Sequence, residues 1–142
     1  MSIVNTLGRL TAAKALPSTL SDGTPIVGAI IDRLGYQSAL LIFSNEAASG
    51  APSAAVASLI IEDGDAANLS DAAIFATLES AKDIKIAGLA QYSIDLSKAK
   101  RYIRVTEDTT YTGGTTPANQ LAADVVLFDK DVDTGPAVVY GR

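Results

Sequence analysis

The 142-residue chain carries 48% hydrophobic and 19% charged residues, a globular composition at a length that fits one domain with its own core. It has no cysteine and no histidine, which excludes disulfides, zinc–thiolate sites and thiol nucleophiles and removes the commonest general base and metal ligand. The formal net charge of −5 argues against a general nucleic-acid binder, which needs a basic face to displace counterions from phosphates.

Residues 1–24 are expected to form an extended N-terminal arm, and residues 25–142 the folded domain. Within the arm, 8–14 has room for a helical turn or two, with Leu7, Leu10 and Ala13 on one face. Pro17 and the turn signal Ser21-Asp22-Gly23-Thr24-Pro25 then break it. A loose terminus and an arm that orders only against a neighbouring subunit are both open. Arg9 and Lys14 are followed by no continuous apolar stretch of the kind a secretory leader needs. No apolar run approaches the roughly 20 residues that span a bilayer, so a soluble chain without a membrane partner is expected.

From Ile26 onward the pattern changes to short β segments. Runs 26–31 and 36–43 flank Asp32-Arg33-Leu34-Gly35, which has the composition of a turn. Ile30, Ile31 and Leu34 also have helical spacing, but Gly28, Gly35 and the β-branched residues favour strands. Residues 44–53 form a small-residue loop, and 55–61 a strand closed by Glu62-Asp63-Gly64-Asp65. Residues 69–79 are the best helix candidate, with Ser70 or Asp71 as cap and Ile74, Phe75 and Leu78 on one side. Tyr92, Ile94 and Leu96 alternate with polar residues, as do Ile103 and Val105 after the loop 97–100, which predicts a β-hairpin with one buried face. The turn-rich stretch 109–119 should be a loop with a mobile tip. Strands are expected at 122–128 and 136–140. About eight strands at spacings near ten residues indicate an all-β sandwich, with a jelly-roll-like antiparallel arrangement preferred over an immunoglobulin-like one.

Enzymatic options without histidine or cysteine reduce to paired carboxylates, Ser-Lys pairs or Asp-bound metal. Glu62-Asp63-Gly64-Asp65 and Asp129-Lys130-Asp131-Val132-Asp133 have ligand types suited to calcium, yet neither fits the 12-residue EF-hand loop. Solvated turns account for both more simply. Gly113-Gly114-Thr115-Thr116-Pro117 lacks the lysine of a phosphate-binding loop. No cofactor, metal or catalytic residue is expected, and the chain is read as a non-enzyme. Lys98, Lys100, Arg101 and Arg104 form one basic cluster, suited to orient docking on an acidic partner or simply to keep a hairpin solvated. With Leu7, Arg9, Leu10 and Lys14 of the arm and Tyr111 of the 109–119 loop, they are the candidate partner-interface residues.

The order of segments Ser21-Asp22-Gly23-Thr24, Ile31-Asp32-Arg33-Leu34-Gly35-Tyr36-Gln37-Ser38-Ala39, Leu59-Ile60-Ile61-Glu62-Asp63-Gly64, Tyr92-Ser93-Ile94-Asp95-Leu96-Ser97, Lys100-Arg101-Tyr102-Ile103-Arg104-Val105 and Ala123-Asp124-Val125-Val126-Leu127 resembles head decoration (cement) proteins of tailed bacteriophages. The resemblance spans about residues 20–128. It implies a jelly roll that binds the outside of a phage capsid and cements neighbouring capsomers. Its partners would be the major capsid protein and itself, as a homodimer or homotrimer, and its place the virion surface after assembly in the bacterial cytoplasm. A head-completion or tail protein, and a carbohydrate-binding module, are the alternatives.

Overall fold

The computed structural model describes residues 10–130. The chain alternates between two antiparallel sheets. In order, the strands are β1 (Thr11–Ser21), β2 (Ile26–Val27), β3 (Ile31–Asp32), β4 (Tyr36–Asn45), β5 (Ala54–Gly64), β6 (Ala73–Asp83), β7 (Gly88–Asp95), β8 (Tyr102–Thr112) and β9 (Asn119–Lys130). One sheet has the order β1-β9-β4-β7; the other runs β2-β8-β5-β6, with β3 also on β8.

The pairing is nested. β1 pairs with β9, β2 and β3 with β8, β4 with β7, and β5 with β6. The chain is thus one long hairpin folded back between β5 and β6, and its paired arms wrap across both sheets. β4 with β9 and β5 with β8 stitch the arms together. This is the jelly roll, all-β, as the sequence predicts.

The core lies between the sheets and follows from period-two patterning. Ala39, Leu41 and Phe43 of β4 and Leu121, Ala123, Val125 and Leu127 of β9 face Ala55, Ala57, Leu59 and Ile61 of β5 and Ile103 and Val105 of β8. Each fully buried Leu, Ile or Phe contributes about 1.5–3 kcal/mol relative to exposure. Small alanines let the layers approach closely. Gly28 marks the tightest point, where a Cβ would meet the carbonyl oxygens of Ala15 at 2.1 Å and Val105 at 2.6 Å.

Residues 109–112, expected in a loop, extend β8, and Asn119 opens β9. Four further expectations need correction. Residues 11–21, expected in the arm, form an edge strand whose register shifts on both sides of Leu16, so that Pro17 sits at a bulge where no ladder hydrogen bond is required. The helix expected at 69–79 is absent, and most of its residues belong to β6. Asp71 does not cap a helix; it accepts the N–H groups of Asp65 (2.8 Å) and Ala66 (3.1 Å) and closes the loop before the strand. Three register shifts between β5 and β6 break the alternation, so Phe75 and Leu78 acquire a spacing that imitates a helix. The expected hairpin at 92–105 has correct strands but not the pairing: β7 lies beside β4 and β8 beside β5, and residues 96–101 cross between the sheets. Run 26–31 is two short strands split at Gly28. The strand expected at 136–140 falls outside the described residues.

Candidate interaction surface

The turn 32–35 and the crossing 96–101 meet at one end of the sandwich. In the first, Leu34 N–H donates to Asp32 (3.0 Å), Tyr36 N–H to the Arg33 carbonyl (2.9 Å), and Gly35 takes φ +86°, which closes a tight turn. The turn aims the Arg33 guanidinium into the crossing 96–101. There Nε donates to the Lys100 carbonyl (2.9 Å), Nη2 to that of Ala99, and Nη1 back to that of Tyr36 (3.0 Å). Leu96 and Ala99 are buried under it, and Lys100 N–H donates to Asp63 (2.8 Å). A planar fork with several donors suits this task, because the crossing carbonyls have no strand to pair with.

The opposite end is held by amides. Asn119 donates to the carbonyls of Ile84 and Glu46, both at 2.8 Å, and Asn45 to that of Ile86 (2.7 Å), tying the β6–β7 crossing to the end of β4. Within the core, fully buried Glu107 hydrogen-bonds Thr109 through one oxygen, while its other oxygen has no partner among the described residues. Burial pushes Glu107 up to about 7.

The candidate interface residues do not assemble into one surface. Leu7 and Arg9 lie outside the described residues. Leu10 is exposed just before β1, and Lys14, on the outer face of the first sheet, pairs with Asp124 of β9 at 3.2 Å. Lys98, Lys100 and Arg101 sit on the crossing, whereas Arg104 is on the outer face of the second sheet. Three of these four charges are matched within the chain. Lys100 lies 3.7 Å from Asp65 and 3.9 Å from Asp71, Arg101 forks onto Asp32 at 2.9–3.3 Å and stacks over Tyr102, and Arg104 meets Glu62 at 2.6 Å. The hydrogen bond from Arg101 holds the Asp32 carboxyl below its ordinary value. Tyr111 belongs to β8, not to a loop tip, and its hydroxyl donates to the Ser21 carbonyl at the far end (3.0 Å). Arg33 and Glu107, which the sequence did not single out as functional, are the more constrained side chains. The signal for Glu107 was available, since it continues the inward phase of Ile103 and Val105.

Among the described residues, carboxylates do not converge on a cavity. Among the described residues no group of three or more acidic side chains is placed to hold a metal ion. Glu62, Asp63 and Asp65 are each engaged by Arg104, Lys100 N–H and Lys100 Nζ respectively. A small, open depression of about 100 Å³ is lined by Ser18, Ser44, Asn45, Glu46, Gln120, Leu121 and Ala122, with Glu46 its one ionisable group.

No family model matches the chain, and no curated protein matches it by sequence. Solved structures do match its fold. The VP2 subviral particle of infectious bursal disease virus aligns over 88% of this chain with a TM-score of 0.56 at 14% identity. The T=1 particles derived from the same virus align over 84% at 0.54 and 12% identity. The chain spans about a third of the length of these viral proteins, 34% and 32%. What they share with it is the jelly-roll fold.

Proposed function

We propose that this chain is a structural virion protein that acts by contact rather than catalysis, sits on the outside of a phage capsid and joins neighbouring capsomers. The observation that carries the reading is the nested jelly roll itself, a two-sheet slab whose fold recurs in VP2 of a viral particle. The order of its sequence segments, similar to that of phage cement proteins, supplies the phage setting. Under this reading the partners are the major capsid protein and the chain itself.

Mechanically the arrangement suits the task. A slab stitched by two-sheet pairing and clamped at both ends by Arg33 and by Asn45 and Asn119 deforms little, so load passes through its surfaces. Many copies of modest interfaces on one shell reinforce one another. The test is co-sedimentation of the purified chain with expanded phage heads. Saturation at hundreds of copies per head, with a rise in heat resistance, is expected. Saturation at a dozen or fewer would make it a head-completion or tail component, and failure to bind any head particle would end the reading.

A further inference from the structure

Four edges bound the two sheets, and three of them carry devices that discourage pairing. β1 contains Pro17, Lys14 and two register shifts. β2 and β3 are two residues each, and that side is closed by hydrogen bonds from Gly28 N–H to the Val105 carbonyl (2.8 Å) and Ala29 N–H to the Ala15 carbonyl (3.2 Å). β6 has three register shifts and carries Glu79, Lys82 and Asp83. Bulges, prolines, short length and charges are the means by which soluble sheets keep edges from recruiting strands.

β7 has none of them. Its eight residues match β4 one for one, from Gly88 opposite Asn45 to Asp95 opposite Ser38, without a shift. It holds no proline, and its single charge, Asp95, is at its last position. Its other side pairs with no strand among the described residues. Leu89 within it is 63% exposed, and Ile86 just before it 72%.

We propose that two copies of this chain join through β7, antiparallel about a two-fold axis, fusing their four-stranded sheets into one of eight strands. The proposal assigns a surface to the self-association in the proposed function and rests on that reading, but it is tested in free solution without any capsid. Symmetry and charge argue for a second copy as the occupant. A two-fold pairing opposes odd-numbered residues to odd-numbered ones, so Ala90, Tyr92 and Ile94 of both copies remain on the core side. In the registers centred on Ala90, Gln91 or Tyr92, Asp95 faces Lys85, Ala87 or Leu89 of the second copy, never an acid. A chain with net charge −5 therefore meets itself here without like-charge contact.

Sedimentation velocity of the full chain over a concentration series should show a species of twice the 14.6 kDa chain mass. Gln91→Lys together with Ser93→Lys, both on the exposed face, should return it to a monomer with an unchanged circular dichroism spectrum, whereas Thr77→Lys on β6 should leave the dimer intact. A wild-type monomer at every concentration, a trimer, or a dimer that survives the double substitution overturns the proposal. Should the double variant misfold, hydrogen exchange on the wild type decides. Protection of the β7 amides that point away from β4, rising with concentration, supports the pairing, and rapid exchange of those amides at every concentration refutes it.

Discussion

Ile103, Val105, Glu107 and Thr109 point inward from β8 because a strand alternates, so a carboxyl group enters the core by phase alone. Burial is the main cause of its rise from an ordinary 4.5 to about 7, the Thr109 hydroxyl opposes it, and the nearby Asp108 charge adds to it. The folded chain then holds this proton more tightly than the unfolded chain does. Stability from the site is complete below the ordinary value and is lost as pH rises through about 7, to a limit of about 3 kcal/mol. Asp32, held low chiefly by Arg101, and Asp71, held low by the N–H groups of Asp65 and Ala66, act with the opposite sign, and their contribution is lost only in acid. The two windows are separate. Urea unfolding between roughly pH 5 and pH 8 should show wild-type stability falling, and Glu107→Gln should be nearly flat over the same range. An equal fall in both proteins would show that Glu107 is not the group responsible.

At the scale of elements, strand positions were legible in the sequence while partners were not. Alternation located β4, β5, β7, β8 and β9, because one buried face imposes period two on a strand wherever it pairs, although β8 runs on to Thr112 through residues expected in a loop. The same alternation says nothing about which sheet receives the next strand, so the crossing 96–101 looked like a hairpin loop. β6 was hidden by its bulges and β1 by Pro17, both features that suppress a local pattern while long-range pairing holds the strand. The Asp32–Gly35 turn was legible, but the reach of Arg33 across to residues 99 and 100 was not, because it depends on tertiary approach. That reach has a measurable consequence. Arg33→Ala leaves carbonyls of the crossing without their donors and should cost about 2–4 kcal/mol in urea unfolding. Arg33→Lys should recover less than half, since a single ammonium cannot span the carbonyls of Tyr36, Ala99 and Lys100. Full recovery by lysine would mean that charge, not the fork, is what the crossing needs.

For the whole molecule, the basic cluster that suggested a docking patch is mostly neutralised by Asp32, Glu62, Asp65 and Asp71. Those carboxylates lie near it only in the folded chain, which is why a linear sequence could not reveal it. What remains outward among the described residues is a two-sheet slab with one unguarded edge, β7, which suits the proposed role in contact. Electron cryomicroscopy of the particles made by cells that encode this chain addresses that claim most directly. The account predicts a two-layer β density of this size repeated over the outer shell and bridging adjacent capsomers. Intact particles whose outer surface bears no such density, while the chain stays in the soluble fraction, would contradict it.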